Sequence, residues 1–276
     1  MKSFRERTIL TGMLLCLAAA GCRKPAPHPP AVVSATNSYL GCAVKDLLGG
    51  DEPVFMLAGP GMCPGHFDVR PSQVQAMRRC RVILRFDFQE SLDAKLALDS
   101  EASPIVAAVA VPGGLCEPAS YLAACTQVAK ALVDAGLLES HAADERLVQI
   151  GERMATLEES CRDQLAGAGL TGAPVLASTH QAGFCGALRL RVVATFSGAD
   201  EARFSQIEHA IQAGRDTAVA LVIANRPEGR KQANALAGRL AARVVVFENF
   251  PGEPSPRGFD EMVRGNISRL QAGGME

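Results

Sequence analysis

The sequence predicts an α/β protein: two doubly wound lobes, each with about four parallel strands, joined by one long backbone helix. Three observations carry that expectation. Short runs rich in Val, Ile and Ala recur along the chain and alternate with segments of helical spacing, the order of repeated βα units. The runs are mostly continuous in their apolar character instead of alternating, as in parallel strands covered on both faces. A single long apolar stripe at helical period then divides the runs into two sets of four.

The first set falls at 32–36, 54–59, 82–86 and 104–111, with helical spacing over 71–80 and 118–138. The stripe follows over 144–166, where Leu147, Ile150, Met154, Leu157, Cys161 and Leu165 recur at three- and four-residue intervals, one face of a 3.6-residue helix. At 1.5 Å per residue such a helix is about 34 Å long, enough to run the height of a lobe. Gly167 and Gly169 end it. Cys161, being on the stripe, reads as core. The second set falls at 174–179, 191–196, 218–224 and 243–248, with helical spacing over 199–214 and 228–241. The expected domains are therefore an N-terminal lobe over 32–143, a linking helix over 144–166 and a C-terminal lobe over 167–276.

Before the first lobe lies a different kind of sequence. Lys2, Arg5 and Arg7 precede an apolar run over 8–20, the charged-then-hydrophobic order of a secretory signal. The run is about 13 residues, short of the roughly 20 that span a bilayer. Ala19-Ala20-Gly21-Cys22, with Leu17 upstream, resembles the lipobox of bacterial lipoproteins. The resemblance implies a signal peptide over 1–21 and a diacylated Cys22 that anchors the chain to a membrane in the periplasm or cell envelope. Residues 22–31 carry Pro25, Pro27, Pro29 and Pro30 and read as a stiff tether.

Without residues 1–21 the chain holds 25 Lys and Arg against 28 Asp and Glu, a net charge of −3. That balance excludes the usual electrostatics of nucleic-acid binding. Beyond the anchor stand Cys42, Cys63, Cys80, Cys116, Cys125, Cys161 and Cys185, an odd number that cannot all pair internally.

In open α/β sheets ligands bind beyond the carboxyl ends of the strands, and there the polar residues of this chain collect. The second run leads into Cys63, His66 and Asp68, and the fourth into Pro112-Gly113-Gly114-Leu115-Cys116-Glu117-Pro118. His180 follows the fifth run, Asn225 and Arg226 the seventh, and Glu248 ends the eighth. Imidazole, thiolate and carboxylate together are transition-metal ligands.

The order of elements and two segments resemble the zinc and manganese solute-binding lipoproteins of metal ABC transporters. Pro64-Gly65-His66-Phe67-Asp68-Val69-Arg70-Pro71-Ser72-Gln73 is similar to that family's Asp-Pro-His-x-Phe/Tyr-Glu-Pro-x-Pro-Ser-Asp segment, and Ser178-Thr179-His180-Gln181-Ala182-Gly183-Phe184 to its His-Asp-Ala-Phe/Tyr segment. The resemblance implies a monomeric receptor that clamps zinc or manganese between its lobes, as cargo and not as catalytic cofactor, and delivers it to an ABC permease. It places metal ligands at His66, His180 and Glu248. The family's first His falls on Gly65, one residue from His66, and its second on Gly113, so two ligand positions are altered. Cys63 and Cys116 lie in the same two loops, as replacement thiolate ligands, as a disulfide pinning the loops, or as inert thiols.

Structural alternatives accompany each residue. His180 could cap the helix that follows it, Glu248 could pair with Arg226 or Arg243, and Asp68 could orient an imidazole or cap a helix. Asn225 falls where the family has a Glu, near enough to orient a ligand. A remodelled site holding another small solute is the alternative function. A metal-dependent hydrolase is disfavoured, since the sequence carries no HExxH, phosphate loop or serine elbow.

Overall fold

A computed structural model describes residues 31–59, 69–96, 104–200 and 203–272. The expected signal peptide, Cys22, nearly all of the tether, and Cys63, His66 and Asp68 lie outside the described residues. Ala31–Glu276 forms one compact unit, and no helix among the described residues is long and apolar enough to cross a membrane.

The first half gives β1 (Val33–Ala35), α1 (Ser38–Leu48), β2 (Val54–Met56), α2 (Pro71–Arg78), β3 (Val82–Phe86), α3 (Ser91–Leu96), β4 (Ile105–Val109) and α4 (Pro118–Asp134). The linking helix α5 runs Ser140–Gly167. The second half gives β5 (Pro174–Ser178), α6 (Ala182–Ala187), β6 (Arg191–Phe196), α7 (Phe204–Asp216), β7 (Leu221–Asn225), α8 (Lys231–Leu240), β8 (Arg243–Phe247) and α9 (Gly258–Gln271). The two sheets are wholly parallel and share one plan, β2-β1-β3-β4 and β6-β5-β7-β8. In each, the chain steps outward once and then back across its own first strand. The switch points therefore lie between β1 and β3 and between β5 and β7, where crevices open at the carboxyl edge.

Both faces of each sheet are covered, which explains the continuous apolar strands. Val33, Leu84 and Val109 of the first sheet and Val175, Ile223 and Val245 of the second join one core. Between them α5 inserts Ile150, Met154, Leu157, Cys161 and Leu165, the stripe read from the sequence. Leu176, Val222, Ala210 and Leu236 fill the outer side of the second sheet, and Leu57, Met77, Ile83, Leu92 and Leu96 that of the first.

The C-terminal helix returns to the first half and ties the two together. Phe259 stacks on Tyr121 at 4.1 Å, and Tyr39 meets both edge-on, contacts worth about 0.5–1.5 kcal/mol each beyond area burial. Beneath them Arg153 of α5 bridges Asp46 of α1 at 2.5 Å and Asp260 of α9 at 3.4 Å. Asp46 also accepts from Tyr121 Oη (2.8 Å) and the Arg257 amide (2.9 Å). Burial raises the Asp260 carboxyl, with Arg153 opposing and Asp46 adding to the rise. Gly41 permits this closure, since a Cβ there would stand 2.9 Å from Pro254 Cγ.

Candidate functional site

The second sheet's switch point carries the polar constellation. β5 ends at Ser178, and a 3-10 turn over Thr179–Gln181 lifts His180 off the strand. The Ser178 hydroxyl accepts from the His180 amide at 3.3 Å, which caps the turn. Gln181 is fully buried. Its amide nitrogen donates to Asn225 Oδ1 at 3.1 Å and to Asn249 Oδ1. Asn225 thus pins the turn that presents His180, leaving the imidazole 61% exposed.

The neighbouring strand β7 delivers a carboxylate to the same crevice. After Asn225 a second 3-10 turn, Arg226–Glu228, ends at Gly229, whose φ of 76° releases the chain into α8. Glu228 Oε1 stands 3.8 Å from His180 Nε2. Its Oε2 accepts from Ser178 Oγ, and its Oε1 from the Gly198 amide at 3.2 Å. Along the chain Glu228 falls at the start of the helical spacing over 228–241. Only the adjacency of β5 and β7, invisible along the chain, brings it to His180.

Glu248, at the end of β8, is engaged by cations. Its Oε1 accepts from Arg226 Nε (2.9 Å), Arg226 Nη2 (2.8 Å) and Arg269 Nη2 (3.3 Å), and that pairing raises the Arg226 guanidinium. The salt bridge foreseen with Arg226 is present, joined by Arg269, while Arg243 instead donates to the carbonyls of Arg269 and Leu270.

Cys116 is a fully buried free thiol. It donates to the Glu248 carbonyl at 3.0 Å and receives the Asn266 side-chain amide at 3.7 Å. Burial pushes this thiol up to about 12. The structure thus places it against β8's end, as a hydrogen-bonded thiol. Cys42, Cys80, Cys125, Cys161 and Cys185 are also free and buried. Among the described residues no group of three or more His, Cys, Asp or Glu is arranged to hold a metal ion.

The loop bearing Gly113 is filled by a side chain the sequence did not single out. Glu117 Oε1 accepts from the Gly114 amide at 2.8 Å. A Cβ at Gly113, whose φ is 108°, would stand 2.9 Å from Glu117 Oε2, and one at Gly183 of α6 would overlap Oε1. Glu117 therefore occupies the seam where this loop meets the turn of His180. Only a glycine-lined seam leaves that room.

Two like parallel sheets bridged by a long helix form a plan shared with solved periplasmic metal-binding proteins. The Mn-bound periplasmic metal binding protein of Candidatus Liberibacter asiaticus is 12% identical, with a TM-score of 0.72 over 89% of this chain and 100% of that one. Its Cd-bound form matches equally, at 12% identity and a TM-score of 0.72 over the same shares of both chains. The SBP FpvC of Pseudomonas aeruginosa in complex with Mn2+ is 13% identical, with a TM-score of 0.68 over 88% of this chain and 99% of that one. Comparison with curated proteins found no match. The family model described as zinc-uptake complex component A, periplasmic, matches residues 33–273. The chain belongs to that family.

Proposed function

We propose that this protein is the extracytoplasmic capture component of a transition-metal importer, taking zinc or manganese as cargo and passing it to an ABC permease. It binds and releases and performs no chemistry. Cys22 and the proline-rich tether hold it, as a monomer, at a membrane face. The linking helix divides two lobes that close on the ion.

The observation that carries this reading is the exposed His180 imidazole, fixed by a buried Gln181–Asn225–Asn249 network at the switch point of a family-matched fold. A side chain held so firmly at its base and so open at its tip suits capture from solution. His66 and Cys63 stay in the proposal as sequence-based partners from the segment that follows the second apolar run. Cys116 and Glu248 are weaker ones, because a bound ion would have to take them from the Glu248 carbonyl and from two guanidiniums.

Isothermal titration of the purified mature chain with zinc and manganese tests the reading. Binding tighter than about 10 μM, or roughly −7 kcal/mol, is expected, with a loss of at least tenfold in His180→Ala. Absence of binding for both ions would refute metal capture and favour the same fold holding another small solute.

A further inference from the structure

The structure assigns the carboxylate of the cargo site to Glu228, at the end of β7, in place of the acidic ligand that the family resemblance sets at the end of β8. This inference rests on the metal-capture reading and deepens it.

Distance is the first argument. His180 Nε2 and Glu228 Oε1 are 3.8 Å apart, beyond the 2.7–3.2 Å of a hydrogen bond between nitrogen and oxygen. Two ligands each about 2.1 Å from one tetrahedral zinc ion stand roughly 3.4 Å from each other. The observed gap is within a few tenths of an ångström of what an ion needs, and it leaves the two groups without a direct bond to satisfy them.

The second argument is the state of the carboxylate. Ser178 Oγ and the Gly198 amide both donate to Glu228, and the side chain is only 17% exposed. Such outer donors orient a carboxylate, as partners of ligating carboxylates do. Ser178 serves both residues, since its oxygen also accepts from the His180 amide. One hydroxyl at the end of β5 therefore sets the mutual position of imidazole and carboxylate.

The nearby cations are engaged by Glu248. Arg226, two residues from Glu228, would neutralise it if free. Glu248 engages its guanidinium through two nitrogens instead, and Arg269 joins from the other side. Among the described ion pairs Glu228 meets His180 alone. Glu248 thus acts on the site indirectly, by keeping Arg226 away, and Glu228 is left as the acidic group facing the imidazole.

An N,O pair of this kind accepts either zinc or manganese, and exchanging its oxygen for sulfur should shift the preference toward zinc. Zinc and manganese affinities of the wild-type chain, Glu228→Gln and Glu228→Cys decide the matter. Gln retains an acceptor for Gly198 or Ser178, so the fold survives, and circular dichroism and a melting curve confirm it. Glu228→Gln is expected to weaken both ions at least tenfold. Glu228→Cys should raise the zinc-to-manganese affinity ratio at least tenfold, a change that damage to the turn alone would not produce. If the wild-type chain binds metal while Glu228→Gln stays within threefold and Glu228→Cys leaves the ratio unchanged, Glu228 is not the ligand and the capture reading stands. If the wild-type chain binds neither ion, both fall.

Discussion

Replacing Arg153 with Met tests whether the linking helix is fastened to both halves by one buried ion cluster. The change keeps most of the aliphatic stem and removes the guanidinium that bridges Asp46 and Asp260, whose side chains are 2% and 9% exposed. Removing one partner of a buried pair costs about 3–5 kcal/mol, because the remaining charge stays desolvated. Tyr121 and the Arg257 amide still serve Asp46, which puts the expected loss near the lower bound, about 3 kcal/mol. With an m-value of about 3 kcal/mol/M in urea, the midpoint should fall by about 1 M. Asp260→Asn is the control. Burial already disfavours that carboxylate, so its removal should cost within about 1 kcal/mol. A loss below about 1 kcal/mol for Arg153→Met would refute the argument that this cluster fastens the helix.

The buried thiols give two further expectations. At pH 8 a thiol pushed up to about 12 is ionised to roughly one part in ten thousand, so iodoacetamide should leave Cys116 unmodified in the native chain and label it in urea, as read by mass spectrometry. Cys42 and Cys116 are pushed up to about 12 and Cys80 and Cys161 to about 11. The folded state therefore holds these protons more tightly than the unfolded one. Their contribution is complete below the ordinary thiol range near pH 8.5 and is lost as pH rises toward 11–12, visible as a falling urea midpoint. Gly214→Ala would set a Cβ 2.6 Å from Leu240 Cδ1 between α7 and α8, and overpacking there should cost about 1–3 kcal/mol in the melting transition.

All eight strands, their parallel sense and the linking stripe were legible because each depends on local apolar pattern. The ends moved for local reasons. The helix expected over 118–138 stops at Asp134, where Gly136 adopts φ 63° and the Gly136 and Leu137 amides turn back to Val133 and Leu132. That over 228–241 starts at Lys231, since Pro227 and Gly229 hold a separate turn. The strands expected over 32–36 and 54–59 contract to three residues each, although Leu57 and Ala58 continue the ladder by donating to Ala35 and Thr36.

At the site, His180 was legible because a polar residue right after a buried strand stands out. Glu228 was not, since its meaning comes from β7 lying beside β5. The pairing of Glu248 with Arg226 was legible as an alternative, while the second guanidinium, from Arg269 twenty-one residues away along the chain, was not. Glu117 was hidden for the same reason, as its glycine partners come from two different loops.

An anomalous difference map from crystals of the zinc-loaded mature chain tests the central claim most directly. One strong peak is expected about 2.0–2.2 Å from His180 Nε2, with a Glu228 oxygen in the same shell. A zinc peak bound only by other residues, or a chain that crystallises from zinc with no peak at His180, would contradict it.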